Sequence, residues 1–144
     1  MRLVLGLVLV CASFGCRAAP SAPEIDELRD APTSVMLEGE LFELPVALYR
    51  DFMPSSPPNG RPLAAVVRLP DRLAQVRVDR IWVLLGDEVW SAEAEQVPGT
   101  QDWVARNGPK WGPGIIVDVV AQLRQPAGEG VLVRAPDRLI QRTD

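Results

Sequence analysis

The sequence predicts an all-β domain, an antiparallel β-sandwich of about seven to nine strands, with a small β-barrel as the alternative. Three observations lead there. Apolar and polar residues alternate with period two through most segments after Val35. Turn-forming residues interrupt the chain at short intervals, with 14 Pro and 11 Gly among 144 residues. Hardly any stretch carries the 3.6-residue period of an amphipathic helix. Short strands separated by frequent turns cannot bury their apolar faces singly, and packing sheet on sheet is the usual solution.

Residues 35–42 open the domain. Val35, Leu37, Gly39 and Leu41 alternate with Met36, Glu38, Glu40 and Phe42, the pattern of one half-buried strand. A second strand follows over 44–49. The run Pro54-Ser55-Ser56-Pro57-Pro58-Asn59-Gly60-Arg61-Pro62 is a surface loop, because its prolines lack amide donors. Residues 63–69 form a strand closed by Pro70-Asp71. Residues 76–85 form the strongest strand, apolar at every position from Ile81 to Leu85, which marks a central strand covered on both faces. Gly86-Asp87 suits a two-residue type II′ turn, since glycine accepts positive φ at the first central position. The returning strand, 89–94, places Trp90, Ala92 and Ala94 on one face and Ser91 and Glu93 on the other.

After Pro98-Gly99 comes a short strand over 103–106, then the turn-rich loop Asn107-Gly108-Pro109-Lys110-Trp111-Gly112-Pro113-Gly114. Along 115–123, Ile115, Val117, Val119, Ala121 and Leu123 line one face. Asp118 lies on the other and calls for an arginine partner, Arg134 or Arg106. A turn over 126–130 leads to strands at 131–135 and 139–141. Pro136 between them marks an edge strand or a bulge. Trp82, in the most apolar strand, is similar to the central-strand tryptophan of immunoglobulin-like domains. That resemblance implies an immunoglobulin-like sandwich over 35–144, here without the disulfide, and speaks to architecture only.

Two segments precede the domain. The first, MRLVLGLVLVCASFGC, has one positive residue, Arg2, and an apolar run from Leu3 to Ala12 that ends at Gly15-Cys16. The run is too short to span a bilayer, which takes about 20 apolar residues. It resembles the signal peptide of bacterial lipoproteins, with Ser13 and Phe14 departing from the usual residues of that class. The resemblance implies a signal peptide over 1–15 and lipidation (palmitate-type acyl chains) at Cys16. It implies an address in the cell envelope, with Arg17 rather than Asp after the cysteine pointing to the outer membrane. Plain secretion with cleavage after Ala18 and an uncleaved apolar anchor are the competing readings. The second segment, RAAPSAPEIDELRDAPTS, is rich in Pro, Ala and charge. With Cys16 it reads as a flexible tether over 16–34, with room for one helical turn at 24–29 and a reach of roughly 50 Å at about 3.3 Å per residue.

Composition excludes several functions. Net charge is −4 and becomes one unit more negative when Arg2 leaves with the leader, so nucleic acid is not an expected partner. Of the two cysteines, Cys11 also leaves, and a lipidated Cys16 has no disulfide partner. The chain has no histidine, which removes the commonest general base and transition-metal ligand. No nucleotide-binding or metal-binding motif is present. The expectation is a protein that is not an enzyme and has no cofactor. It is a membrane-anchored binding or accessory module whose partner is another envelope protein or a polysaccharide.

The candidate binding residues are Lys110, Trp111, Trp103 and Trp90. Gly-Pro and Pro-Gly steps flank Lys110-Trp111, and a rigid exposed aromatic is a good recognition anchor because little rotamer freedom is lost on binding. The competing reading folds Trp111 back as a plug over one end of the sandwich. Trp90, sharing a face with Ala92 and Ala94, suits core or edge packing, and Trp103 follows a polar turn. Two or more of these rings, coplanar and exposed, would make a carbohydrate-binding module. Arg50 and Asp51 read as a local ion pair or as partners of backbone groups at a strand end, with a ligand clamp as the alternative. Glu38 and Glu40 read as a solvated face, with a hard-cation site as the alternative. An enzyme using carboxylates, Lys110 or Tyr49 would need these groups to converge in one pocket.

Overall fold

A computed structural model describes residues 21–128 and 130–144; the leader and Cys16 lie outside the described residues. The chain is nearly all β, as expected, with one short helix, α1 (Ile25–Arg29), and ten strands. These are β1 (Val35–Leu37), β2 (Glu40–Phe42), β3 (Val46–Asp51), β4 (Leu63–Arg68), β5 (Arg77–Leu85), β6 (Glu88–Glu93), β7 (Glu95–Gln96), β8 (Asp102–Gly108), β9 (Ile116–Arg124) and β10 (Gly130–Thr143). β1 and β2 form a small hairpin. The other eight form one hydrogen-bonded order, β6-β5-β9-β10-β3-β4-β8-β7, antiparallel throughout except where β10 meets β3.

Two corners bend this sheet into a sandwich bordering on a barrel. β10 is 14 residues long. Gly130 to Leu139 pairs with β9, and Ile140 to Thr143 pairs in parallel with β3. The pairing breaks between Ala135 and Arg138, where Pro136 has no amide to offer and Asp137 takes a φ of 55°. The bulge anticipated at Pro136 is therefore the bend that carries one strand between two sheets. At the opposite corner β6 pairs with β5 and, one residue later, β7 pairs with β8. The first and last members of the strand order are thus adjacent in sequence, and the ring nearly closes. Trp90 fills the splay between β6 and β8. A Cβ built on Gly108 would lie 3.1 Å from the Trp90 ring and 3.0 Å from Leu63 Cβ. Gly108→Val is expected to cost about 2 kcal/mol by overpacking this seam, read as a lower urea midpoint with unchanged slope.

Strand alternation sorts the side chains. Leu48, Leu63, Val67, Ile81, Val119 and Ile140 belong to the main core between the sheets. Trp82 lies between Ile81 and Val83 and so points the other way. It joins Leu84, Val120, Leu28 and Ala31 in a second cluster on the outer face. Trp82 therefore does not occupy the inter-sheet position on which the immunoglobulin likeness rested.

What covers Trp82 is the segment expected to be free tether. Leu28 of α1 is only 1% exposed. The Arg29 guanidinium donates to the Gly86 carbonyl and to Asp87 Oδ1, tying the helix to the β5–β6 turn. The Arg134 amide donates to the Pro32 carbonyl at 2.8 Å, so the same segment also covers an open edge of β10. Residues 25–32 of the expected 16–34 tether are therefore packed on the sheet. The helical turn allowed for at 24–29 is α1; a five-residue helix has no stability of its own, and packing on the sheet, which composition does not reveal, holds it.

The expected single strand over 35–42 is a hairpin. Glu38 (φ 50°) and Gly39 (φ 78°) form the turn, and Val35 pairs with Phe42. Both positive φ values match a type I′ turn. Leu37 and Phe42 face the core, while Met36 and Leu41 face outward at 60% and 65% exposure. Glu40 pairs with Arg72 at 2.9 Å, and no metal-type cluster of acidic residues exists among the described residues. The Gly86-Asp87 turn has positive φ at Gly86 alone of its two central residues, as a type II′ turn requires. Asp118 meets Arg134 at 3.2 Å, and its second oxygen accepts the Asp137 amide at the bulge.

Candidate functional site

Along β3 the inner row is Leu48 and then Arg50, and the outer row is Tyr49 and Asp51. The inner row therefore ends on a charge. Arg50 is 3% exposed, the one buried charged side chain among the described residues. Among the described residues no carboxylate meets it. Its Nε donates to the Arg61 carbonyl at 3.0 Å and its Nη1 to the carbonyls of Lys110 and Gly112 at 3.2 and 2.6 Å; Nη2 donates to the Asn59 carbonyl. Guanidinium is suited to this: it is planar, weakly hydrated and rich in donors. Of the two readings for Arg50, partner of backbone groups is the one realised. It draws the proline loop before β4 and the Lys110-Trp111 loop, some 50 residues apart in sequence, onto one point at the end of the core.

Aromatic packing completes this end. The Arg50 and Arg142 guanidinium carbons lie 5.0 and 4.3 Å from the Phe52 ring centroid. Arg142 also hydrogen-bonds Asp144 and holds that carboxyl below the usual carboxylate range. Gly60, at φ 72°, leaves only 2.7 Å between a would-be Cβ and the Phe52 ring, so the loop needs glycine there.

The four candidate residues are not gathered on one surface. Lys110 is exposed, and Trp111 is half-buried against the main core, part plug and part surface. Trp90 is half-buried over Gly108. Trp103 is 6% exposed within the core and offers no face to a ligand; its Nε1 has no hydrogen-bond partner. A platform of exposed rings that includes Trp103 does not form, because Trp103 alternates inward with Ala105 along β8.

A site that the sequence reading missed lies on the outer face of β3, β4 and β8. A cavity of about 470 Å³ is lined by Tyr49, Asp51, Arg61, Ala64, Arg106 and Asn107, among others. Its construction depends on a break in alternation. Ala105 and Gly108 point inward, and both Arg106 and Asn107 between them are exposed. Asn107 takes a φ of 66°, and the pairing of β4 with β8 shifts between Leu63 and Ala65. This is a bulge that aims two consecutive polar side chains at one face. Ala64 gives the hollow a small floor. Asp51 Oδ2 lies 3.5 Å from Arg61 Nε, and its Oδ1 accepts the Met53 amide at 2.9 Å. Arg61 is held at its backbone too: its amide donates to the Asp51 carbonyl, and its own carbonyl receives Arg50. Among the described residues Arg106 has no ion-pair partner. The signal available in the sequence was Asn107-Gly108, a pair that tolerates left-handed backbone. It reads as the end of a strand unless the strand is seen to continue through it.

No family model, curated protein or solved structure matches this chain.

Proposed function

We propose that this chain is a non-enzymatic binding or accessory module of the bacterial cell envelope, held at the membrane by a lipid on Cys16. The leader pattern, Arg2 followed by a short apolar run and Gly15-Cys16, supports the anchor. The observation that carries the binding role is the buried Arg50 clamp. It holds two turn-rich loops in fixed positions and presents Lys110 and part of Trp111 at the loop surface. Loops positioned by a rigid scaffold are where recognition residues concentrate, and an anchor fixed in advance lowers the ordering cost of association. The absence of histidine favours binding over acid–base catalysis. The carbohydrate reading through stacked tryptophans has less support, since Trp103 is buried.

Two measurements test the two halves of this proposal. In cells fed a labelled palmitate analogue, the wild-type chain should carry label in the membrane fraction, and Cys16→Ser should lose label and fractionate with soluble protein. Label retained by Cys16→Ser would end the anchor reading. A photoreactive residue at position 111 should yield a discrete envelope adduct that the same residue at Glu93 does not. Identical adduct patterns at the two positions would end the loop's role.

A further inference from the structure

We infer that the hollow on β3, β4 and β8 is a binding site for a carboxylate-bearing sugar, a hexuronic-acid type residue. The inference deepens the binding-module reading and rests on it.

The lining dictates the ligand class. Two guanidinium groups, Arg61 and Arg106, face one carboxylate, Asp51, which leaves the hollow one positive charge on a protein whose net charge is −4. Asp51 is already engaged by Arg61 and by the Met53 amide, and its side chain is 23% exposed. It has little left for a ligand ammonium, so an amino acid or amine is a poor match. Arg106 lacks an ion-pair partner among the described residues, and its planar fork matches a carboxylate in two parallel hydrogen bonds. Tyr49 and Asn107 add a phenol and a carboxamide, which both donate and accept, as ring hydroxyls require. The Tyr49 ring and the Ala64 floor give an apolar surface for a sugar face. One net positive charge balances a carboxylate, whereas a phosphate would call for more. A volume of about 470 Å³ suits one or two sugar rings.

The backbone supports the same assignment. Asn107 accepts left-handed φ, uncommon for a residue with a side chain, and the result is that Arg106 and Asn107 turn to the same face. Arg50 fixes the Arg61 carbonyl and so acts as a positioning residue for the rim without lining it.

The test uses the full chain in detergent micelles, titrated with galacturonic and glucuronic acid and their short oligomers by saturation-transfer NMR and calorimetry. The expected result is saturable binding of the acidic sugars and at least tenfold weaker binding of galactose and glucose. Arg106→Ala should weaken acidic-sugar binding tenfold or more. Asn107→Gly, which accommodates the left-handed backbone and removes the side chain with its carboxamide, should weaken it several-fold. Arg124→Ala, on the other sheet, should leave it unchanged. A thermal melt of each variant separates loss of the site from loss of the fold. No binding of either acid, equal binding of neutral sugars, or an Arg106→Ala variant that binds like wild type would overturn the assignment. Displacement by inorganic phosphate at equal concentration would overturn it too, leaving only a general anion site. The assay needs neither lipid nor Trp111, so its failure is separate from failure of the anchor or of the loop adduct.

Discussion

Arg50→Met is expected to lower the unfolding free energy by about 3–5 kcal/mol, the range for breaking a buried charged network by removing one side of it. For a domain of this size that is a fall in Tm on the order of 15 °C, measured by circular dichroism. Methionine keeps the unbranched apolar stem of the side chain. What it cannot do is donate to the carbonyls of Asn59, Arg61, Lys110 and Gly112, which then face the end of the core without partners. Apolar replacement of a buried ion pair is often harmless because both charges go together. Here the acceptors belong to the main chain and stay. Arg50→Lys should recover part of the loss, since ammonium keeps the charge and has three donors but no planar spread. A shift of less than about 3 °C for Arg50→Met would mean that water replaces the guanidinium without cost. The loops would then be held by their prolines and glycines alone.

Leu28→Asp should release the segment 25–34 from the sheet. The wild-type side chain is 1% exposed and sits on Trp82, Leu84 and Val120. Its burial contributes about 2 kcal/mol, and a carboxylate in its place has no cation in that cluster to meet it. A five-residue helix without that contact does not persist. The Pro32 carbonyl would also lose its grip on the β10 edge. Two readouts follow. Trp82 emission should shift to the red as water reaches it, and trypsin should cut after Arg29 far faster than in wild type while the sheet survives. Unchanged cleavage would show that Arg29 on the β5–β6 turn and Pro32 on β10 suffice to hold the segment. On an anchored chain, release would lengthen the spacer by roughly 30 Å at about 3.3 Å per residue.

Much of this protein is determined by local chemistry and is legible without coordinates. Val117, Val119, Ala121 and Leu123 lie on the core face of β9, and Trp90, Ala92 and Ala94 on that of β6–β7, because side chains in a strand alternate. Pro136 cannot continue a ladder, and Gly86 admits the φ its turn requires. Asp118, polar in an apolar strand, needed a cation and has Arg134. Those statements depend on one residue and its near neighbours. The outcomes that tertiary structure decided depend on partners distant in sequence. Whether residues 35–42 run straight or fold back turns on Leu37 and Phe42 finding the same core, since both paths keep the alternation. Whether Trp82 faces the core or α1, and whether 25–34 is spacer or cover, turns on a second apolar cluster built from four separate elements. The hollow at Arg106 exists because a bulge between β4 and β8 turns two side chains to one face, and Arg50 is a clamp because loops 50 residues apart offer it carbonyls. Alternation, turn chemistry and charge are properties of a single stretch of chain; register, corner and cavity are properties of stretches brought together by burial.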